Sequence, residues 1–419
     1  MKIAVVGAGV VGIATAYELA QDGHTVTVFD KSAAACEEAS FANSGLVATS
    51  LFMPFAAPGD RGNGLMRFLD TGGRLSRRPW LSWQQMKFLW QWTQAHKADT
   101  SAQQQTVGRQ LARYSAEQLQ GIAERHQMEL ERSDGHLVLL RTEQALQRLQ
   151  PLLEAWKAEG ITCKVLTPDE ARTQEPALHS EAPVHAALWI PGDLVMNCRQ
   201  FALELKAETQ KMGVQYQLGT EVLELNLQPR PTLTLGTPRG TEVTQADHVV
   251  LCTNQVPLAL LGKVALSIPT FELHGYALSV AVREPLNAPR SAVHELHDDL
   301  LINRLGNRIR VSAGAELGPR PATKDAKTIN SMYRALEQYF PGAANYPSGT
   351  QVWQGTRHLT SDGLPAVGPS GLQHLSLNLG HGACGWTWAC GSARLLADHL
   401  GGHRTAVDIA PLLPTRFAR

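Results

Sequence analysis

The chain contains 419 residues, 43% of them hydrophobic, and its 38 Lys and Arg residues balance its 38 Asp and Glu residues. This length predicts two or three folding units with a substantial core, and the balanced charge argues against a nucleic-acid-binding protein, which usually carries a basic surplus. The six cysteines show no Cys-x-x-Cys pair and no His–Cys spacing typical of a metal site, so we predict neither a metal nor a disulfide scaffold.

The first thirty residues follow the order strand, glycine-rich turn, helix, strand, acid. Residues 3–6 (IAVV) have the composition of a buried parallel strand. The turn GAGVVG follows at 7–12, then a helical pattern, and a second predicted strand at 25–29 leads into Asp30. This order is typical of a dinucleotide-binding unit.

Each glycine of that turn pattern has a physical task. Gly7 permits the tight turn, Gly9 lets the backbone approach a pyrophosphate, and Gly12 lets the helix pack closely on the strand. The helix N-terminus then presents free N–H groups to the phosphates, and Asp30 stands where an acid accepts hydrogen bonds from a ribose. The sequence therefore predicts a dinucleotide site, with a ligand-free strand–helix turn as the alternative.

The same apolar segment also resembles a secretory signal, because residues 3–20 follow a lysine. A signal does not require three glycines in register and does not normally carry an acid such as Glu18 near its end. We therefore favour the nucleotide site and a cytoplasmic location, in keeping with the scattered cysteines. No other stretch reaches the roughly 18 apolar residues that a membrane helix needs.

Two further segments leave alternatives open. The run of small and polar residues at 39–46 (ASFANSGL) suits either a loop wrapped around a cofactor or an ordinary solvated loop. The stretch Trp80–Trp92 (WLSWQQMKFLWQW) suits either a buried helix or a membrane-surface contact. We favour core packing for this stretch, because aromatic residues at helical spacing are usually buried.

The middle of the chain mixes helices with strands of two kinds. Amphipathic helices are predicted at 101–130, 143–159, 197–212 and 324–339. Strands are predicted at 135–140, 214–217, 222–225, 248–252, 275–282 and 308–312. Strands of the nucleotide type flank the middle region, so we expect two domains interleaved along the chain.

The C-terminal region repeats the turn chemistry of the N-terminus. Residues 376–392 (SLNLGHGACGWTWACGS) predict a strand, a glycine-rich turn and a helix beginning near Trp386. This turn offers a second helix N-terminus and a close backbone approach to an anion or a flavin ring. The alternative is a tight turn whose glycines serve packing alone.

Six motifs in a fixed order carry a resemblance to a known family. GAGVVG, ASFANSG, GYAL, NRIRVSAGAELG, WxGxRxxTxDGxPxxG and GHGxxGWTxACGS cover nearly the whole chain. In these motifs the chain resembles the FAD-dependent D-amino-acid dehydrogenases, within the wider group of D-amino-acid, glycine and sarcosine oxidases. The resemblance implies an α/β Rossmann-type FAD-binding domain (1–50, 193–262 and 345–419) interleaved with an α+β substrate domain built on an antiparallel sheet (51–192 and 263–344).

The resemblance also implies noncovalent FAD, because none of the six cysteines matches a position that tethers a flavin. Residues implied for the ADP portion are Gly7, Ala8, Gly9, Val10, Val11, Gly12, Asp30, Lys31 and, through its backbone, Val222. Residues implied for the second FAD-wrapping segment are Ser40, Asn43, Ser44, Gly45 and Leu46. Residues implied to border the flavin ring are Gly380, His381, Gly382, Gly385, Trp386 and Thr387.

For the substrate, the family transfers the Cα hydrogen as hydride to flavin N5, and the imino acid hydrolyses to a 2-oxo acid and ammonia. Arg357 matches the arginine that grips the substrate carboxylate with its planar fork. Tyr276 in GYAL is the second candidate, either reaching the substrate or packing with its hydroxyl satisfied locally. Where the family usually has proline and often lysine, this chain has His358 and His274, so its substrate preference is in doubt and His358 becomes a third catalytic candidate.

The predicted function is therefore FAD-dependent oxidative deamination of D-amino acids, with electrons passed to a quinone or another carrier. An oxygen-using oxidase of glycine, another amine or a cyclic secondary amine is the nearest alternative within the same fold. A nucleotide-binding subunit without chemistry is a more remote one. The predicted partners are a small amino-acid or amine substrate and the electron acceptor, without nucleic acid, and with a peripheral membrane contact if the Trp80–Trp92 stretch is exposed.

Overall fold

The structure, a computed structural model, describes residues 1–51, 74–75, 83–95, 98–254, 268–317 and 324–417. Its strands are β1 (Lys2–Val6), β2 (Thr25–Asp30), β3 (Leu46–Val47), β4 (Arg74–Leu75), β5 (Arg132–Leu140), β6 (Lys164–Leu166), β7 (Ala186–Met196), β8 (Gln215–Leu218), β9 (Glu221–Asn226), β10 (Thr232–Thr237), β11 (Gly240–Gln245), β12 (His248–Leu251), β13 (Thr270–Val282), β14 (Ala292–Glu295), β15 (Leu300–Leu305), β16 (Arg308–Leu317), β17 (Ala344–Asn345), β18 (Gln351–Thr360), β19 (Ala366–Pro369) and β20 (Leu375–Leu379). Its helices are α1 (Val10–Gln21), α2 (Trp83–Ala95), α3 (Ala98–Arg125), α4 (Glu143–Ala158), α5 (Pro168–Gln174), α6 (Cys198–Lys211), α7 (Ala326–Tyr339) and α8 (Gly385–Leu400). The predicted strands and helices are confirmed, with shifts at their ends.

The apolar strand β1 lies inside a six-stranded sheet of order β19-β20-β12-β1-β2-β8. Its residues pair in parallel with β2 on one side and with β12 on the other. Buried β-branched residues such as Val5 and Val28 fill its faces, as a sheet covered on both sides requires. Only the edge strand β19 runs antiparallel to its neighbour. This is the predicted Rossmann-type arrangement, which brings the carboxyl ends of β1, β2 and β12 to one edge.

The second sheet contains eleven strands, which come from widely separated parts of the chain. Its path runs β17-β13-β16-β15-β14-β5-β7-β3, and β18, β4 and β6 pair with β13, β16 and β7. Most pairs are antiparallel, as predicted, but β14 pairs with β5 and β16 with β4 in parallel. A separate three-stranded sheet contains β9, β10 and β11.

The strand pairing bears on the predicted domain limits at β18. That strand falls within the segment 345–419, which the sequence assigned to the FAD-binding domain, yet it pairs with β13 from Thr270↔Thr360 to Ser279↔Gln351. The large sheet therefore contains 351–360, because a hydrogen-bonded ladder of this length fixes a strand in its sheet. The division into two domains is otherwise untested and stays a prediction.

Helix α8 joins the N- and C-terminal parts of the chain. It packs on α1 and α3, and its buried residues Trp386, Trp388 and Leu395 enter the same apolar core as Ile13 and Tyr17 of α1. Each such side chain contributes roughly 1.5–3 kcal/mol when fully buried. The two glycine-rich turns that precede α1 and α8 are thereby held on one side of the molecule.

The tryptophan-rich stretch divides between core and surface. Within α2, Phe88 and Trp92 are buried against Phe271 of β13, with the two phenylalanine rings 5.0 Å apart. Trp83 and Trp90 are 76% and 52% exposed. Core packing is therefore confirmed for two of the four aromatic residues that the structure describes here, because a helix at the molecular edge buries one face. Trp80 lies outside the described residues.

Candidate active site

The turn between β1 and α1 is closed so tightly that only glycine fits. Gly7 has φ +112°, and a Cβ added there would lie 2.7 Å from the carbonyl oxygen of Cys252. A Cβ added at Gly12 would lie 1.9 Å from the carbonyl oxygen of Gly7. Gly9 is the N-cap of α1 and provides no side-chain cap. The first N–H groups of α1 are thus open to a ligand, except that of Val10, which donates to Ser40 Oγ at 3.1 Å.

Asp30 ends β2 and closes the other side of this turn. Its Oδ2 accepts a hydrogen bond from the backbone N–H of Ala8 at 2.6 Å, and its Oδ1 accepts from that of Ser32 at 2.8 Å. The carboxylate therefore stays at the end of the sheet beside Lys31 and Val222, which line the same cavity. An acid fixed there suits a ribose, as predicted.

Three adjoining cavities run from this turn into the large sheet. The first, the glycine-turn cavity, has a volume of about 460 Å³ and is lined by Gly7, Gly9, Asp30 and Val222 among others. The second, the bridging cavity of about 90 Å³, shares Gly9 and Ser40 with it and reaches the C-terminal glycines. The third, the Arg357 cavity of about 190 Å³, shares Asn43 and Arg357 with the second. A long ligand can therefore contact all three.

The segment at 39–48 forms the wall common to these cavities. Asn43 Oδ1 accepts from Gly45 N at 2.8 Å, and Gly45 has φ +87° with the carbonyl oxygen of Met196 3.1 Å from an added Cβ. Arg310 Nη1 donates to the carbonyl oxygen of Asn43 at 2.7 Å, and Asn303 Nδ2 donates to that of Ser44. Two side chains of the large sheet thus hold the segment in place by hydrogen bonds. An ordinary solvated loop would not need such contacts.

The helix α8 holds the same segment from the other side. Trp386 Nε1 donates to the carbonyl oxygen of Gly45 at 3.2 Å, and Thr387 Oγ1 accepts from Ala48 N at 3.2 Å. Trp386 is 1% exposed and packs 5.2 Å from the ring of Phe201. Both predicted ligand-contacting residues therefore use their polar atoms to position the wall, while Thr387 also lines the Arg357 cavity beside Leu46.

The C-terminal turn lies on the bridging cavity. Gly380 and Gly382 have φ +78° and +55°, so both occupy the left-handed region that favours glycine. His381 between them is buried, and its Nε2 lies 3.0 Å from Ser392 Oγ of α8. Burial lowers the pKa of His381 to about 3, so the ring is neutral at physiological pH. Gly385 lines the same cavity where α8 begins.

Arg357 reaches the third cavity from β18 and is half-buried there. Burial lowers the pKa of its guanidinium, and the Cys384 thiol and the Asp299 carboxylate oppose this. Among the described residues no hydrogen bond or ion pair to Arg357 is found. A half-buried, always charged fork with no such partner in the described part of the chain suits an anionic ligand, above all a carboxylate.

Tyr276 lies in the same cavity, but its hydroxyl is engaged. The side chain is 4% exposed, and the hydroxyl accepts a hydrogen bond from Asp325 N at 2.9 Å, at the N-cap of α7. Its ring packs over Gly314, where an added Cβ would lie 3.2 Å from it. The structure thus shows the local hydroxyl partner that the sequence left open, and contact with a substrate stays a prediction.

His358 points away from Arg357. Side chains alternate along β18, so Trp353, Gly355 and Arg357 line one cavity, while Thr356 and His358 line the glycine-turn cavity. Both residues nevertheless reach the bridging cavity. The catalytic role of His358 therefore stays a prediction.

The two histidines share an acid on that face. His358 Nε2 lies 3.8 Å from Glu272, and His274 Nε2 lies 3.5 Å from the same carboxylate. His274 is fully buried, with Nδ1 2.9 Å from Thr356 Oγ1. Burial lowers the pKa of His358 while Glu272 opposes the shift. These contacts explain both departures from the family pattern as parts of one polar cluster under the glycine-turn cavity.

Sequence reasoning missed a second polar group in the Arg357 cavity. His294 and Asp299 line it together, and His294 Nε2 lies 2.8 Å from Asp299 Oδ1. Neither residue belongs to one of the six motifs, and the run HELHDD carries no turn or spacing signal that marks a site. The two residues meet because β14 and β15 form a hairpin, and the pairing of β14 with β5 and of β15 with β16 places this hairpin in the large sheet.

Fold and site together define a dinucleotide-binding protein with a separate, partly apolar cavity that is lined by Arg357. A sequence model of the family described as FAD dependent oxidoreductase (DAO) matches residues 2–399. A D-amino acid dehydrogenase of Rhizobium rhizogenes is 33% identical over 424 residues, and one of Granulibacter bethesdensis is 31% identical over 420 residues, both covering 100% of each chain. Glycine oxidase from Geobacillus kaustophilus superposes with a TM-score of 0.74 at 22% identity, covering 100% of this chain and 99% of that one.

The chain therefore belongs to the FAD-dependent oxidoreductase family, and its cofactor is FAD. The residues present fit this cofactor, because the turn before α1 leaves no room for a Cβ, Asp30 closes it, and the cavities continue to Arg357. Which individual residues contact FAD stays a prediction.

Proposed function

We propose that the protein oxidises D-amino acids to 2-oxo acids and ammonia and passes the electrons to a quinone or another carrier. The guanidinium of Arg357, which has no hydrogen-bond or ion-pair partner among the described residues, carries this proposal, since it offers a carboxylate anchor in the cavity next to the C-terminal glycine turn. The names of the full-length relatives support the D-amino-acid class.

The chain's own residues would position the substrate for this reaction. Arg357 would bind both carboxylate oxygens, each through a charge-assisted hydrogen bond of roughly 1.5–3 kcal/mol. Apolar residues such as Leu273, Leu301 and Ala315 would surround the side chain and exclude water. FAD, when bound, accepts the two electrons and the Cα hydrogen. The imino acid then reacts with water to give the 2-oxo acid and ammonia.

The decisive measurement is the visible spectrum of the purified flavoprotein under anaerobic conditions. We expect the flavin absorbance to bleach on addition of a D-amino acid and to persist with the L-enantiomer. A protein that bleaches with neither enantiomer of any amino acid, or with both equally, would contradict the proposed substrate class. Readmission of oxygen then separates the alternatives, because an oxidase recovers its colour within turnover time and releases hydrogen peroxide, whereas a dehydrogenase recovers only with a quinone.

Noncovalent attachment of FAD forms part of the proposal. Cys36, Cys252 and Cys384 line the cavities, and burial raises the pKa of each thiol to about 12. Because the thiolate is the reactive form, these protonated thiols are poor nucleophiles. Acid precipitation should leave the yellow flavin in the supernatant, and flavin retained in the pellet would show a covalent bond.

The electron acceptor is tied to the exposed face of α2. Trp83, Met86 and Trp90 lie at positions i, i+3 and i+7 and are exposed, beside the cationic Lys87. We propose that this face contacts a membrane surface where a quinone is dissolved. Among the described helices none is long and apolar enough to cross a membrane.

Flotation with vesicles tests that contact. The wild-type protein should rise with anionic phosphatidylglycerol vesicles, and Trp90→Gln should weaken this without changing the rate of flavin bleaching. The control is Leu286→Gln, because Leu286 is exposed on another surface. Phe88 is buried and is therefore unsuitable as a control. Equal flotation of all three proteins, or of none, would refute the membrane contact.

A further inference from the structure

The Arg357 cavity contains an acid that the proposed function has not used. Asp299 ends the turn between β14 and β15 with φ +49°, a conformation that non-glycine residues rarely adopt. Its Oδ1 is held by His294, and its side chain is 22% exposed towards the cavity. Among the described residues its Oδ2 has no hydrogen-bond donor.

A row of buried polar side chains continues from His294 into the protein and supports Asp299 through this histidine. The ring of His294 stacks on that of His136 at 5.7 Å and 9°, and His136 Nδ1 lies 3.1 Å from Asp193 Oδ2. Asp193 is fully buried and accepts from Ser50 Oγ at 2.7 Å and from Ser50 N at 2.9 Å. A buried network of this kind is costly unless its members are satisfied, and it rigidifies what it holds.

The charges of the cavity are complementary but separate. Arg357 and Asp299 both line it, yet no ion pair joins them among the described residues. Burial lowers the pKa of the guanidinium, and the carboxylate of Asp299 opposes this shift from across the cavity. Most of the remaining wall is apolar, including Leu46, Leu273 and Leu301. Two opposite charges that are left apart in such a cavity need a ligand that carries both.

We propose that Asp299, held by His294, binds the amino group of the substrate while Arg357 binds its carboxylate. This inference rests on the proposed function and narrows it, because it makes the cavity specific for zwitterionic amino acids over carboxylic acids without an amine. Two fixed points also determine which face of Cα meets the flavin, so Asp299 contributes to the choice of enantiomer.

The test uses the holoenzyme, with D-alanine as substrate and propionate as its amine-free counterpart. Asn is the matched replacement for Asp299, since it keeps the size and tolerates the left-handed conformation. For Asp299→Asn we expect the D-alanine concentration that half-reduces the flavin to rise about tenfold to a hundredfold, the effect of one charge-assisted hydrogen bond. The Kd of propionate, read from the shift of the flavin spectrum, should change less than threefold or decrease.

Two variants provide the comparison. Asp298→Asn changes the adjacent carboxylate, which pairs with Arg141 at 3.0 Å and lines a different cavity, and it should behave as wild type. Arg357→Lys should weaken both ligands. If Asp299→Asn weakens D-alanine and propionate equally, or neither, the assignment is wrong.

The outcome also separates this inference from the proposed function. A wild-type protein that never bleaches with D-amino acids refutes the function, whereas bleaching that Asp299→Asn leaves unchanged refutes only the role of Asp299. If Asp299→Asn does not retain flavin, His294→Gln gives the answer, since it removes the support and keeps the acid. We expect it to weaken D-alanine severalfold and to spare propionate, and an unchanged response to D-alanine would overturn the assignment.

Discussion

The glycine turn before α1 and the Arg357 cavity are built in opposite ways. The turn is made of backbone: the missing Cβ atoms of Gly7 and Gly12 let three strands and a helix meet within van der Waals contact. The cavity is made of side chains from β13, β14, β15, β16 and β18 and from the segment at 39–48. The first tolerates almost no substitution, while the second can change its ligand through single residues. We therefore expect substitutions in the turn to affect cofactor binding and substitutions in the cavity to affect the choice of substrate.

The largest expected effect comes from adding one carbon to the turn. In Gly12→Ala the Cβ would lie 1.9 Å from the carbonyl oxygen of Gly7, which is backbone and cannot rotate away. We expect FAD affinity to fall more than about a hundredfold, since overpacking of this kind costs 1–3 kcal/mol or more and also displaces the phosphate-facing N–H groups. Flavin content per protein after gel filtration measures it.

Gly121→Ala is the control for that change, because Gly121 lies in α3 with no atom within 4 Å of an added Cβ. It should keep its flavin and gain a little stability from helix propensity. Full flavin content in Gly12→Ala would contradict this difference between the two regions, since the turn would then accept substitutions as readily as the cavity.

The second effect lies on the cavity side and should leave the cofactor alone. Arg357→Lys replaces a planar fork with a point charge, so one of two charge-assisted hydrogen bonds is lost. We predict normal flavin content and anaerobic bleaching that is slowed about a hundredfold. This loss corresponds to the free energy of one to two charge-assisted hydrogen bonds. Near-normal bleaching would remove Arg357 from carboxylate binding, and loss of flavin would mean that the two regions are not separable.

The third prediction concerns pH and the turn between the two regions. The pKa of His381 falls from its ordinary 6.5 to about 3 on folding, so the unfolded chain binds a proton first as the pH decreases. Stability is therefore full above pH 6.5 and is lost towards pH 3, by about 2 kcal/mol at pH 5 for this residue at 1.36 kcal/mol per pKa unit. Buried Glu18 and Glu175 have raised pKa values and act in the opposite direction.

Thermal unfolding of the holoenzyme between pH 7.5 and 5 isolates the histidine. Wild type should lose several degrees of Tm over this range, and His381→Gln should show a flatter profile. Parallel profiles would show that folding does not lower the pKa of His381.

The smallest effect tests the wall that both regions share. Thr387→Val removes the hydroxyl that accepts from Ala48 N and keeps the side-chain shape. We expect a loss of about 1 kcal/mol in the free energy of unfolding, the net value of one buried hydrogen bond, with flavin content unchanged. Thr241→Val in β11, where the threonine is exposed, is the surface comparison. An effect on Thr387→Val no larger than on that variant would exclude the proposed anchoring of the wall.

The sequence predicts the two regions to different degrees for a physical reason. Turn chemistry is local, so Gly7, Gly12, Asp30 and the start of α8 near Trp386 were predicted from neighbouring residues alone. The cavity is less local: Asp193, His136 and the hairpin that carries His294 and Asp299 come from three separate segments, and strand pairing brings these segments together. The face of β18 that carries His358 likewise depends on register, which no single strand determines.

The order of the six-stranded sheet also has a consequence for biosynthesis. Strand β1 is translated before its neighbour β12, which comes some 240 residues later, and before α8, which covers α1. Until then β1 can pair only with β2, so its other edge stays open, and unpaired strand edges of this kind promote aggregation. We therefore expect the six-stranded sheet to be completed, and FAD to bind, only after β12 and α8 have emerged from the ribosome.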